Sequence, residues 1–288
     1  LYPRPQVVCA DAASSTAAAT SSPTSSQPQD AAEARLAACV AAAAAAGCAD
    51  APLLAFLASV LGLVRSQLAA AGEDLLSACK ASLVHGPLLL LRYISEDLPW
   101  TALASDAHAG PALAAWLACL TDLLSRTVVV ALPVLARPQE ANVGADEVDA
   151  DDVMDVDGGD DGEGEGEGEE GLGPEAQVIS TACWTSVKEV SLLLGTLARH
   201  CPLPEEEGEE GEEQGGGGGS GTVLLTTAQV AWAGGLLTQL LLEMKHNGAV
   251  EKTSLGLTAL ASRLLQSPAP HLHHLPAQWM ARALAHAA

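Results

Sequence analysis

The chain has 288 residues, of which 49% are hydrophobic, and a formal net charge of −23. The charge is local, because residues 140–175 contain 16 Asp and Glu without any Lys or Arg, and residues 204–213 contain 7 more. Subtracting these 23 from the 36 acidic residues leaves 13, which equals the 13 Lys and Arg of the chain. The neutral remainder has no dense basic face to displace counterions from phosphates, so strong autonomous nucleic-acid binding is disfavoured.

The composition predicts an all-α protein. Ala and Leu dominate the apolar residues, and both are strong helix formers, whereas aromatic residues suited to strands make up only 3% of the chain. The seven cysteines form no CxxC pair, which favours buried thiols in a reducing compartment over a disulfide framework. No signal peptide is visible. We therefore expect a cytoplasmic location, and a first residue other than Met suggests a fragment of a larger protein.

The N-terminal half begins with a low-complexity segment, residues 1–29, which we predict to be disordered. Residues 30–136 are predicted to be helical, starting at the capping-box spacing of Asp30 and Glu33, with Gly47 ending the first helix. Proline and glycine positions predict four further helices, at about 52–72, 73–84, 88–97 and 111–133. His85-Gly86-Pro87 is predicted to separate the helix at 73–84 from the helix at 88–97.

The central helix, predicted at 177–201, lies between an acidic insert at 137–176 and an acidic, polyglycine insert at 202–221, both predicted to be disordered. Its apolar or small residues are spaced by three and four, at Ile179, Cys183, Val187, Val190, Leu194, Leu197 and Cys201. Lys188 and Glu189 lie off this face. A helix isolated in this way must bury its face against helices distant in sequence. We therefore expect both halves of the chain to close around it.

The C-terminal half, residues 222–288, is predicted to hold three more helices. Thr226 and Gln229 have capping-box spacing, Asn247-Gly248 is predicted to be a turn, and Pro276 is predicted to start the last helix. The uncharged run 222–242 is too polar for a membrane span, so we expect no membrane association. Helices of about 12–25 residues joined by short breaks favour an α-solenoid of HEAT/armadillo-like pairs, with a compact helical bundle as the alternative.

No candidate motif for catalysis or ligand binding has the residue spacing that its chemistry requires. The acidic tract 149–161 does not fit a calcium loop, and the glycines at 215–221 lack the Lys and Ser/Thr of a phosphate loop. A metal at His271, His273 and His274 would need ligands from elsewhere. We therefore predict no catalytic, metal or cofactor site on this chain.

Four motifs resemble a known family. Cys183-Trp184-x-Ser186-x-Lys188-Glu189, followed by Leu192-Leu193-Leu194-Gly195, is similar to the signature of the thyroid adenoma-associated protein family, which are large helical-repeat regulators of tRNA 2′-O-ribose methylation. Lys245-His246-Asn247-Gly248-Ala249-Val250-Glu251 resembles the family's turn between helices, and Leu275-Pro276-x-x-Trp279 resembles its Leu-Pro-x-x-Trp helix start. The upstream segment from His85-Gly86-Pro87-Leu88 to Leu91-Arg92-Tyr93 is similar to the one that precedes the signature.

The chain also departs from the family pattern. Thr185 and Asn247 stand where family members often carry basic residues. A family motif of the Arg-Arg-Ser-Ala-Gly type, expected downstream, is absent from this sequence. Both inserts look peculiar to this protein.

The resemblance implies a non-catalytic scaffold. Its partner would be an FtsJ-type methyltransferase, which brings the adenosylmethionine and acts on the tRNA anticodon loop, with tRNA bound through the complex. The residues expected to be exposed and to contact the partner are Lys188, Glu189, Lys245, His246 and Glu251. Those expected to serve packing or turns are Cys183, Trp184, Gly248, Trp279, His85 and Gly86. A generic α-solenoid adaptor unrelated to tRNA is the alternative, and an enzyme with a composite site is the least favoured reading.

Overall fold

A computed structural model describes residues 27–137, 173–204 and 222–287, and these ranges contain helices and no strand. The helices are α1 Gln27–Ala45, α2 Ala51–Glu73, α3 Leu75–Lys80, α4 His85–Asp97, α5 Trp100–Ser105, α6 Ala109–Leu135, α7 Pro174–His200, α8 Thr227–Glu243, α9 Asn247–Leu265 and α10 His274–Ala287, with a 3₁₀-helix at Pro270–Leu272. The all-α prediction is confirmed. Most of the predicted lead-in and of the two predicted inserts lies outside the described residues.

Several helix boundaries follow from local sequence signals. Gly47 adopts a left-handed φ of 71° just after α1, a conformation that glycine reaches without a steric penalty. At the start of α8, the Thr226 hydroxyl accepts a hydrogen bond from the Gln229 N–H at 3.2 Å, and the Gln229 side chain accepts one from the Thr226 N–H at 2.9 Å. This is the predicted capping box.

Other boundaries differ from the predictions. The third helix is only six residues long, because Ser82 and Leu83 take left-handed φ values of 69° and 47° and turn the chain. His85-Gly86-Pro87 forms the first turn of α4 rather than a break, since a proline is tolerated there. Asn247-Gly248 likewise starts α9 instead of forming a turn outside it. The short helix α5 was not predicted.

Helix α7 is the centre of the fold. It packs against α3, α4 and α6 of the N-terminal half and against α9 of the C-terminal half. The predicted apolar face is buried from Cys183 to Cys201, while Ile179 is half-buried. Burial extends around the helix to the polar residues Ser186, Glu189, Ser191 and Thr196. The two halves of the chain therefore meet across this helix, as its isolation in the sequence predicted.

Helices α7 and α9 run parallel and in close contact. The residues in contact have increasing numbers in the same direction along both helices, since Trp184 lies beside His246 and Gly195 beside Gly256. A Cβ added to Gly256 would clash with the Ser191 carbonyl oxygen, and one added to Gly195 would lie 3.2 Å from the Gly256 Cα. The two backbones thus approach more closely than larger side chains would allow.

Helices α2 and α6 have the length and mean hydropathy, 1.7 for each, of a membrane-spanning segment. Core helices of soluble proteins share those properties, and here 50% of the α6 window and 33% of the α2 window is buried within the fold. The Trp116 indole of α6 donates a buried hydrogen bond to the Leu57 carbonyl of α2, at 3.1 Å. Both helices supply the core of the N-terminal half.

Candidate functional site

The site is built where α4 and α9 flank α7. His85 and Arg92 are seven residues apart on α4 and therefore lie on one face of that helix. Lys188 and Glu189 lie near the middle of α7, and His246 caps the start of α9. We call the group formed by His85, Arg92, Lys188 and Glu189 the Glu189 cluster.

Glu189 is fully buried and lies among three basic side chains. Its Oε2 accepts a hydrogen bond from the Arg92 Nε at 2.8 Å. Its Oε1 lies 3.9 Å from the His85 Nε2 and 4.0 Å from the Lys188 Nζ. Oε1 accepts no hydrogen bond from any described residue. One carboxylate therefore lies among basic groups from two helices, and one of its oxygens has ion-pair contacts without a hydrogen bond from the described residues.

The ion pair determines the electrostatics of Arg92. Desolvation by burial would by itself lower the pKa of this guanidinium, but the hydrogen bond and the charge of Glu189 outweigh it and raise the pKa. Glu96 adds a second carboxylate, with its Oε1 3.5 Å from the Arg92 Nη1. Arg92 stays charged, and its side chain is held on both sides.

A second feature, the Trp184 stack, joins α7 to the start of α9. The Trp184 and His246 rings are stacked, with centroids 5.0 Å apart and planes inclined by 15°. Gly248 lies against both rings, since a Cβ added there would be 3.5 Å from the His246 Cε1 and 3.8 Å from the Trp184 ring. The Lys188 Nζ lies 5.9 Å from the Trp184 ring centroid, over its face. Lys188 therefore links the Trp184 stack to the Glu189 cluster.

His246 works as a helix cap in its neutral form. Its Nδ1 accepts a hydrogen bond from the Ala249 N–H at 3.2 Å, which satisfies one of the unpaired donors at a helix start. Desolvation by burial lowers its pKa, because the charged ring loses hydration in this position. The half-buried ring is thus committed to the cap and to the stack.

The structure corrects one predicted contact residue and qualifies another. Glu189 was expected to be exposed but is 0% exposed, because α7 is enclosed on more than the one face that the apolar spacing defines. His246 was also expected to be exposed and is half-buried. Lys245 and Glu251 are exposed, and Lys188 is partly exposed.

The residues expected to serve packing or turns differ in how deeply they are buried. Cys183 is fully buried, and its pKa is raised to about 12 by desolvation. Trp279 is buried against Gly234 of α8, where an added Cβ would clash with the indole. Gly86 is exposed in the first turn of α4, and His85 is half-buried at its start.

Arg92 and Tyr93 were not predicted as site residues. The Arg92 Cζ lies 4.5 Å from the centroid of the Tyr93 ring, and Tyr93 is 55% exposed. The seven-residue spacing between His85 and Arg92 could have placed both on one helical face. The pairing of Arg92 with Glu189 spans 97 residues and had no local signal.

Ligand-holding chemistry is sparse in the described ranges. Within 27–137, 173–204 and 222–287, no three His, Cys, Asp or Glu side chains converge as metal ligands would. The His273 Nε2 makes a hydrogen bond with the Ser267 carbonyl oxygen at 2.8 Å. A cavity of about 470 Å³ between α1, α6 and the start of α8 is lined mainly by alanines and by Val223 and Leu224. It contains no pair of a nucleophile and a base.

Fold and site together define an all-α protein in which signature residues from distant helices meet around a buried ion pair and a half-buried aromatic stack. Residues 115–288, more than half of the chain, match the family profile described as THADA/TRM732, DUF2428. The chain therefore belongs to this family, as the motif resemblance predicted.

Curated relatives carry a common name. Over 109 residues the chain is 46% identical to the tRNA (32-2′-O)-methyltransferase regulator THADA of Drosophila melanogaster, covering 38% of this chain and 6% of that protein. The proteins of the same name from Homo sapiens and Gallus gallus are 37% and 33% identical over 106 and 105 residues. The aligned part covers 36% of this chain and 5% of each of these two relatives. No solved structure matches the chain significantly.

Proposed function

We propose that this chain is part of a non-catalytic helical-repeat scaffold that regulates 2′-O-ribose methylation in the anticodon loop of tRNA by binding an FtsJ-type methyltransferase. The observation that carries the proposal is the family match of residues 115–288, together with relatives that are named regulators of a tRNA methyltransferase. Adenosylmethionine and the reacting groups would belong to the partner enzyme.

The packing of the helices supports a scaffold. Helices α7 and α9 are parallel neighbours, and α8 connects them in sequence. This arrangement is typical of the stacked helical pairs of an α-solenoid. Such arrays offer long surfaces on which two partners can be held at once. Holding tRNA beside the methyltransferase would reduce the entropic cost of reaching the reacting geometry.

The start of α9 is the surface that we assign to the enzyme partner. Lys245 precedes the helix and is exposed, and its backbone N–H donates a hydrogen bond to the Leu135 carbonyl oxygen at 2.8 Å. The Glu251 side chain, one turn into α9, is 55% exposed, and its Oε1 accepts a hydrogen bond from the neighbouring Lys252 Nζ at 3.0 Å. A fixed backbone with charged side chains pointing into solvent is suited to selective pairing with a complementary surface.

Cysteine chemistry supports a cytoplasmic location for this function. The described residues include six free cysteines, of which Cys79, Cys119, Cys183 and Cys201 are buried. Buried free thiols are typical of reducing compartments. We therefore propose that the scaffold acts in the cytoplasm.

The test is co-purification of the methyltransferase with the tagged chain. Lys245→Glu combined with Glu251→Lys should abolish recovery of the enzyme while helical content stays intact. Lys80→Glu, which reverses an exposed charge at the end of α3, is the matched control and should leave recovery unchanged. Recovery of other proteins without any methyltransferase would refute the proposal in favour of a generic adaptor, and turnover by the purified chain alone would indicate an enzyme.

A further inference from the structure

Three basic side chains converge at one point of the surface between α4 and α7. The His85, Arg92 and Lys188 side chains are 29%, 17% and 25% exposed, whereas the carboxylate between them is fully buried. The negative charge therefore lies beneath the surface, and the basic groups lie at its edge. Arg92 contributes a guanidinium, Lys188 an ammonium and His85 an imidazole to this group.

Aromatic rings alternate with these basic groups. Tyr93 lies beside Arg92 at 4.5 Å, and Trp184 lies beside Lys188 at 5.9 Å. His246 extends the row through its stack on Trp184. We call this row, formed by His85, Arg92, Tyr93, Lys188, Trp184 and His246, the cation–aromatic strip. It crosses three helices that are brought together only by folding.

We propose that the cation–aromatic strip binds single-stranded RNA, with Arg92 and Lys188 at phosphates and a base stacked on Tyr93. The inference rests on the proposed function only for the choice of RNA over DNA. Basic groups that follow the backbone, combined with aromatic faces that stack on bases, are the common means of binding single strands. A duplex keeps its base faces covered and would leave Tyr93 without a partner.

Glu189 prepares the strip for this role. Its hydrogen bond to Arg92 and its charge near Lys188 hold both side chains before RNA arrives. Long basic side chains lose conformational entropy when they are ordered on binding, and groups that are already held lose less. Glu189 is thus a positioning residue that does not touch the RNA.

The charge of the strip limits its affinity. Glu96, with a side chain 37% exposed, pairs with Arg92 at 3.5 Å, so Glu96 and Glu189 together balance the formal charges of Arg92 and Lys188. Two phosphate contacts on a single strand give a slope of about −1.4 in the plot of log affinity against log salt. We therefore expect modest binding by the chain alone, consistent with its lack of a dense basic face.

The experiment measures fluorescence anisotropy of a labelled 12-nucleotide single-stranded RNA, with the same sequence as a duplex for comparison. Tyr93→Ala should weaken single-strand binding roughly 5-fold to 160-fold, the range for loss of one stacked base, and Tyr93→Phe should retain it. Phe56→Ala is the matched control, because Phe56 is a similarly exposed aromatic residue on α2. It should have no effect.

The phosphate contacts are tested by salt dependence. Lys188→Gln should reduce the magnitude of the salt slope by about 0.7, the contribution of one phosphate contact, whereas Lys80→Gln should leave the slope unchanged. Arg92→Met alone leaves the buried Glu189 without its partner and destabilises the fold. Combining it with Glu189→Met removes both charges, so that the variant stays folded. The double variant should also bind RNA more weakly.

Equal affinity of the wild type and Tyr93→Ala would overturn the inference. So would a duplex that binds as well as the single strand, or a polyglutamate peptide that binds more tightly than the RNA, which would indicate an acidic protein partner. Methyltransferase co-purification is followed in parallel. Its loss from the Lys245/Glu251 variant with intact RNA binding supports both ideas, whereas its complete absence from wild type, with RNA binding as expected, contradicts only the proposed function.

Discussion

Removing Arg92 should destabilise the fold by leaving a buried charge unpaired. Glu189 is 0% exposed, and its single direct hydrogen bond from the described residues comes from the Arg92 Nε. Breaking one side of a buried ion pair costs about 3–5 kcal/mol. His85 and Lys188 lie within 4.0 Å of the other carboxylate oxygen and could take over part of the pairing. We therefore expect about 3 kcal/mol for Arg92→Met, the lower end of that range.

The assay is urea unfolding followed by circular dichroism, supported by thermal melts. A loss of about 3 kcal/mol corresponds to a decrease in Tm of roughly 6–12 °C for a folded region of this size. Arg92→Met combined with Glu189→Met removes both charges and should recover most of the loss, since well-packed apolar replacements of buried pairs are often neutral. A cost below about 1 kcal/mol for the single variant, a typical surface-pair value, would refute the reasoning.

Three further predictions concern packing, pH and thiol reactivity. Gly234→Ala should destabilise the fold by about 1–3 kcal/mol through overpacking against the α10 indole. Its neighbour Gly235 has open space at the Cβ position, so Gly235→Ala should stabilise by about 0.5–1 kcal/mol; equal effects in urea unfolding would contradict this contrast. The folded-state pKa of His246 is lowered, so its stabilising contribution should be full above the unfolded value of about 6.5 and decline as pH falls from there towards the folded value. His246→Asn keeps a capping acceptor and should lack this component, and identical stability–pH curves for both proteins would count against it. Burial raises the pKa of Cys201 to about 12, so a thiol reagent at pH 8 should label half-buried Cys39 first and Cys201 only after unfolding, as read by mass spectrometry.

Features encoded in short stretches of sequence were predictable. The capping box at Thr226 and the glycine end of α1 depend on a few neighbouring residues, so local chemistry determines them. The apolar spacing of α7 correctly gave the buried side of that helix. Its isolation between charged segments also indicated that it must contact both halves of the chain.

Features that depend on distant contacts were not predictable. The burial of Glu189 requires α4 to lie on α7, and the partner Arg92 is 97 residues away in sequence. A periodicity argument assumes one apolar face and assigns every charged residue to solvent, so it fails for a helix enclosed on several sides. The left-handed Ser82 and Leu83, which shorten α3, also carry no signal in residue type, because non-glycine residues seldom adopt that conformation.

Among the described residues, two backbone hydrogen bonds join the halves of the chain: the Thr222 N–H donates to the Ala104 carbonyl oxygen, and the Lys245 N–H to that of Leu135, both at 2.8 Å. No side chain takes part in either bond, so amino-acid replacements at these four positions leave the donors and acceptors in place unless proline is introduced. These two links between the halves therefore do not depend on the side chains at those positions. Spacers of different length and composition between the helices would therefore leave these two links intact.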